Sequence, residues 1–138
     1  MQQIRVRTER RTQLIDITSD VQAALDSADG TATNGASAAA LVFVPHTTAG
    51  VTINEHADPL VARDFEMALE RIVPEEWEWQ HIEEGEENAP SHPRASLMGP
   101  QVLVPLREGE PALGTWQGIF LCEFDGPRTR SVLVTVLR

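Results

Sequence analysis

From residue 94 onward, apolar segments of strand length alternate with turns rich in glycine and proline, and this punctuation restricts the fold more than any other feature. Residues 95–98, 102–106, 114–124 and 130–137 read as strands. Gly99-Pro100, residues 107–111 and Asp125-Gly126-Pro127 separate them. Near the start, Ile4, Val6 and Thr8 alternate with Arg5 and Arg7, and Ile15 and Ile17 flank Asp16. Both stretches read as half-buried antiparallel strands, joined as a hairpin turning near residues 9–11. Residues 38–44 are an unbroken apolar run ending at Pro45 and His46, which predicts a mid-sheet strand buried on both faces.

Two helices interrupt this pattern. Ser19 and Gln22 have capping-box spacing, Val21, Ala24, Leu25 and Ala28 share one helical face, and Gly30 stops the helix. A small, polar loop over residues 30–37 follows. Asp58 and Pro59 then supply a cap and a first-turn proline, and Val61, Phe65, Ala68, Leu69 and Ile72 recur at helical spacing until Pro74. Strands dominate over two main helices, and no repeat or linker divides the chain. The expectation is an α+β fold: one compact domain over residues 1–138, a mostly antiparallel β-sandwich or barrel-like sheet.

Composition removes several classes of function. The formal net charge of −10 repels phosphate backbones and anionic lipid, so nucleic acid and membrane surfaces are poor partners. No apolar run approaches the ~20 residues needed to span a bilayer. The first residues alternate like a strand and lack the apolar core of a signal peptide, so the cytoplasm is the expected compartment. The single cysteine, Cys122, fits a reducing interior and excludes an intrachain disulfide framework. Lysine is absent, which removes Schiff-base chemistry and the P-loop lysine. Tyrosine is absent too, leaving proton transfer to His, Asp, Glu, Cys122 or water.

The remaining chemistry concentrates between residues 46 and 92, which hold all four histidines: His46, His56, His81 and His92. No short motif pairs them. Neutral imidazoles suit zinc, and three of them leave a coordination position open; loop capping or simple solvation is the alternative reading. Thr47 and Thr48 follow a buried strand, where hydroxyls and free backbone N–H groups can hold an oxyanion. Asn54 is a candidate polar group, and Asp58 a candidate carboxylate that a capping role also explains. Strand alternation places His92, Arg94 and Ser96 on one side, a phosphate clamp with a cation between imidazole and hydroxyl. An edge strand facing solvent explains the same pattern. Gly114 and Gly118 around Thr115, Trp116 and Gln117 suggest a bulge or close backbone approach. Cys122 reads as inert packing, whereas Glu123 in the same apolar strand needs a partner such as Arg128 or a metal. Residues 75–87, with Trp77, Trp79 and His81, read as an acidic surface excursion.

Several of these words occur in an order that resembles the YjbQ-like family, also called the secondary thiamine-phosphate synthase family. They are His46-Thr47-Thr48-Ala49-Gly50-Val51-Thr52-Ile53-Asn54-Glu55; Ala57-Asp58-Pro59; His81 with Glu83-Glu84-Gly85 and Asn88-Ala89; His92-Pro93-Arg94-Ala95-Ser96-Leu97-Met98-Gly99; and residues 113–128. The resemblance implies a homotrimer with a site near the subunit boundaries, where clustered histidines hold a divalent metal such as zinc. Carried over, His46, His81 and His92 are the metal candidates, and Asn54, Asp58, Ser96 and Glu123 the catalytic ones. Thr47, Thr48, Arg94 and Arg128 are the ligand-binding candidates. The implied activity joins a pyrimidine pyrophosphate to a thiazole phosphate, as a secondary reaction. Arg94 stands where the family usually has lysine and Pro93 removes a backbone donor there, while His56 replaces a common asparagine and reads as peripheral. The expectation is therefore metal-assisted chemistry on a small phosphate or pyrophosphate. A non-catalytic trimeric module is the alternative, binding a phosphorylated ligand or a protein partner through Trp77 and Trp79.

Overall fold

Alternation in the last strand explains the larger of two sheets. Arg130, Val132 and Val134 turn inward along β8 (Thr129–Leu137), and Ile4 and Val6 of β1 (Gln2–Arg7) face the same way beside them. β3 (Ala39–Phe43), β5 (Gln101–Arg107) and the short β6 (Glu110–Pro111) complete the sheet, in the order β1-β8-β3-β5-β6. The second sheet is β2 (Gln13–Asp16), β7 (Gln117–Glu123) and β4 (Ala49–Glu55), in the order β2-β7-β4, and every strand pairing in both is antiparallel. This computed structural model describes residues 1–28, 37–83 and 87–138. Gly30, most of the 30–37 loop, and Glu84 and Gly85 of the family-like words lie outside the described residues.

The two sheets pack face to face. Ile4, Ala40, Val42, Val104, Val132 and Val134 meet Val51, Ile119 and Leu121, with Ile17, Val21 and Leu25 filling the end of the layer. The last two belong to α1 (Thr18–Asp26). On the far side of the smaller sheet, Phe120 and Cys122 pack with Leu69, Phe65 and Ala62 of α2 (Pro59–Ile72) and with Ala95 and Met98 of α3 (Ser91–Met98). β7 is therefore covered on both faces, which accounts for its unbroken apolar sequence. The sandwich with helices is the α+β architecture expected from the strand pattern.

Four local expectations require correction. The two N-terminal strands do not form a hairpin: β1 pairs with β8 and β2 with β7, so the chain crosses between sheets at residues 8–12. Thr8 N–H bonds Arg128 O and Gly126 N–H bonds Arg11 O along that crossing. β3 lies mid-sheet, but only Ala40 and Val42 are fully buried, because its other side is the outer face of the sandwich. α1 begins at Thr18 without a Ser19–Gln22 box; Asp16 Oδ1 accepts the Thr18 N–H instead, and Gln22 donates to Asp26. Finally, residues 91–98 are a third helix rather than a strand. Pro93 sits in its first turn, where a backbone N–H has no intrahelical partner to lose.

That helix lies close on the smaller sheet, and Gly50 makes this possible. A Cβ there would stand 2.8 Å from Gly99 O and 3.0 Å from Ala95 O. Gly99 ends α3 at φ +92°, a conformation that favours glycine. Helical geometry also separates the residues that alternation had grouped: Arg94 turns fully inside, while Ser96 faces solvent.

The Arg94 guanidinium donates twice to Val73 O (3.0 and 2.7 Å) and once to Glu75 Oε1 (3.2 Å). It thereby closes the C-terminal end of α2, where backbone carbonyls lack helical partners. Arg94→Ala leaves that buried carbonyl unpaired, and we expect a loss of about 3 kcal/mol in urea unfolding. Arg94→Lys should recover less than half of it, because an ammonium cannot reproduce the fork.

Candidate functional site

Glu123 is fully buried at the end of β7, and a carboxylate in that position requires compensation. Arg130, also buried, supplies it from the start of β8: its Nε donates to Glu123 Oε2 at 2.7 Å and its Nη2 to Oε1. Thr8 Oγ1 and the Asp125 N–H add bonds of 3.1 and 2.9 Å. The expected partner, Arg128, is elsewhere; it pairs with Asp125 Oδ2 at 2.8 Å. Arg130 is not among the sequence candidates; its signal is a cation on the same strand face as Val132 and Val134.

Arg130 also fixes the loop after β3. Its Nη2 donates to Thr48 Oγ1 at 2.7 Å and to Thr48 O at 3.3 Å. A cleft of about 490 Å³ opens above, lined by His46, Thr47, Thr48, Asn88, Asp125, Arg128, Arg130 and Arg11 among others. Its cations and hydroxyls come from three separate segments, two of which the Glu123–Arg130 pair beneath holds together.

His46 lies in this wall with its protonation pattern fixed by backbone. The Ser131 N–H donates to His46 Nε2 at 3.0 Å, so the neutral ring carries its proton on Nδ1. Burial, and then the positive charge of Arg130, hold His46 below the ordinary imidazole range.

A second pair of imidazoles meets nearby. The rings of His81 and His92 stack edge to face with centroids 5.2 Å apart. Asn88 Nδ2 donates to Asp125, so its Oδ1 accepts from His81 Nε2 at 3.1 Å, leaving His81 Nδ1 as the free lone pair. His92 Nε2 is enclosed and has no hydrogen-bond partner among the described residues. His46, His81 and His92 do not gather as a three-ligand cluster; among the described residues no group of three or more His, Cys, Asp or Glu does so.

Other candidates lie apart from this convergence. Asn54 is exposed on β4 and bonds the Glu55 N–H at 2.7 Å. Asp58 caps α2 through the Leu60 N–H at 2.9 Å. Ser96 is exposed on α3, and Arg94 serves the end of α2. His56 pairs with Asp16 at 2.9 Å and packs over Gly118, where a Cβ would come within 2.5 Å of its ring. Burial pushes the Cys122 thiol far up, which makes it a poor nucleophile.

The lowered pKa of His46 has a definite sign in stability. Below the ordinary imidazole value the unfolded chain takes up a proton that the folded chain refuses, so stability falls with pH between the unfolded and folded values. His46→Gln, whose amide oxygen still accepts the Ser131 N–H, should lose that part of the decline. Urea unfolding from pH 7.5 to pH 5 measures it.

No described helix is long and apolar enough to cross a membrane. The family profile described as UPF0047 protein YjbQ-like matches residues 2–138. UPF0047 protein YugU of Bacillus subtilis is 41% identical over 134 residues, covering 97% of this chain and 96% of that protein. UPF0047 protein MJ1081 of Methanocaldococcus jannaschii is 40% identical over 135 residues, covering 96% and 90%. Among solved structures, an uncharacterized conserved YjbQ/UPF0047 protein from Clostridium acetobutylicum superposes with a TM-score of 0.88 at 41% identity, over 99% of this chain and 100% of that one. Hypothetical protein APE1520 from Aeropyrum pernix K1 gives 0.86 at 34% identity, over 99% and 96%. The chain belongs to the YjbQ-like UPF0047 family.

Proposed function

We propose that the cleft above Arg130 binds the phosphate or pyrophosphate of a small molecule, and that the chain is an enzyme acting on it. The observation that carries this reading is the convergence of Arg128, Arg130, Thr47 and the neutral His46 on one small polar cleft. Arg128 and Arg130 supply charge, and His46 Nδ1–H supplies a neutral donor that stays in place as charge develops. Arg94, first considered for this duty, is occupied at the end of α2.

His81 and His92 are the proposed ligands of a divalent metal such as zinc. Two imidazoles on one tetrahedral ion would have ring centroids about 5 Å apart, and the pair is already spaced in that way, with one enclosed nitrogen that has no partner among the described residues. His46 fits less well as a third ligand, since its Nε2 is engaged by Ser131. Such an ion, when bound, would polarise a phosphoryl oxygen as a Lewis acid. Asn88 and Asp125 would orient His81 and link it to Arg128. Thiamine-phosphate formation is one reaction such a cleft would serve: it would receive the pyrophosphate as its bond to carbon breaks and the thiazole nitrogen takes its place.

Inorganic pyrophosphate titrated calorimetrically tests the cleft. Arg128→Ala and His46→Gln should each weaken binding about ten-fold, the value of one charge-assisted hydrogen bond. His92→Ala should lower the metal content of the purified protein by elemental analysis. Unchanged affinity in the first two variants, with unchanged metal in the third, would sink the assignment.

We also infer self-association as a homotrimer through the outer face of the larger sheet. Leu41 and Leu103 stand in register there, Leu133 and Leu137 lie on the same side, and Leu103 is 60% exposed. Ser131, which holds His46, belongs to the same strand, so a boundary on this face would run beside the cleft. Leu103→Glu should shift the mass measured by light scattering to that of a single chain.

A further inference from the structure

The acidic stretch after α2 walls a second recess, of about 760 Å³, with chemistry opposite to that of the cleft. Its volume falls in the range of small-molecule sites, about 300–1,000 Å³. Trp77 and Trp79 line it with ring centroids 5.6 Å apart and planes inclined at 37°. Trp79 is held in place: its indole N–H donates to Pro74 O at 3.3 Å, and its backbone N–H to Trp77 O at 2.8 Å. Glu75, Glu78, Glu83 and Glu87 complete the acidic lining, and no arginine contributes to it. Glu75 is shared by Arg11 and Arg94. Glu78, Glu83 and Glu87 have no arginine partner among the described residues.

Solvation explains the glutamates, but it does not explain two neighbouring indoles, one of them 57% exposed. Indole faces and unpaired carboxylates attract the same thing, a positive charge that carries apolar substituents. Phosphate is repelled here by the charges that would welcome a cation. We propose that this groove binds a small organic cation of the alkylammonium or quaternary ammonium class. The cation sits against the Trp77 and Trp79 rings, with Glu78 and Glu83 supplying the counter-charge. This site stands whether or not the neighbouring cleft takes a phosphate, although Glu87 lines both recesses and His81, the proposed metal ligand, lines this one.

Tryptophan fluorescence of the full chain tests the proposal directly. The protein has three tryptophans and no tyrosine, so its long-wavelength ultraviolet-excited emission comes from indole. Trp116→Phe removes the one reporter outside the groove. Choline, titrated at constant ionic strength, should give a saturable change. Its uncharged isostere 3,3-dimethylbutan-1-ol should bind about ten-fold more weakly or not at all. Trp77→Leu, at an exposed position, should abolish the response with an unchanged melting temperature. The double variant Glu78→Gln/Glu83→Gln, which leaves both rings in place, should weaken it, and it serves as the test if Trp77→Leu fails to fold. Equal responses to choline and its isostere, or a choline response undiminished in these variants, overturn the proposal. A response to arginine-rich peptides without one to choline also overturns it, assigning the groove to a protein partner.

Discussion

The buried pair of Glu123 and Arg130 ties the two sheets together where hydrophobic packing alone would leave them free to shift. Removing two charges from water costs several kcal/mol per ion. Here the carboxylate is compensated by four hydrogen bonds, from Arg130 twice, Thr8 and Asp125. The guanidinium Nη2 also reaches Thr48. One interaction therefore sets the end of β7, the start of β8, the exit of β1 and the loop after β3. A pair of leucines in the same space would fill volume without specifying any of these directions.

Charge on the surface is organised on a finer scale than the net −10 suggests. Arg11, Arg128 and Arg130 gather around one cleft while, among the described residues, four glutamates line the recess beside it. Long-range attraction favours cations, yet screening confines that field to roughly 8 Å at physiological salt. Within the cleft, the local arginines set the field. An acidic chain can thus carry a locally positive surface where its cations are collected in one place.

The strands were legible because alternation is a local property that survives in any topology. Their partners were not: nothing in residues 4–17 distinguishes a hairpin from two strands that cross to different sheets. β3 and β7 carry similar apolar runs, but only β7 is covered on both faces, because only the smaller sheet has helices on its far side. The third helix was not legible because residues 95–98 are too few to display a helical period, and alternation over residues 92–96 fits a strand equally well. At the site, the demand of Glu123 for a partner was visible, and so was the concentration of histidines. The identity of the partner depended on which strands became neighbours. His46 illustrates the same limit, since the donor that fixes its proton lies 85 residues away.

The bond from Ser131 to His46 connects the cleft to the outside of the sandwich through a single peptide group. Strand β8 cannot move along its neighbours without withdrawing that N–H, since side chains along a strand alternate in direction while backbone donors keep a fixed spacing. The larger sheet thus acts as a ruler for the proton on His46. At the rim, Arg128 is held by two bonds to Asp125. On the floor, the group that reads the register of the sheet is also the one that faces the cleft.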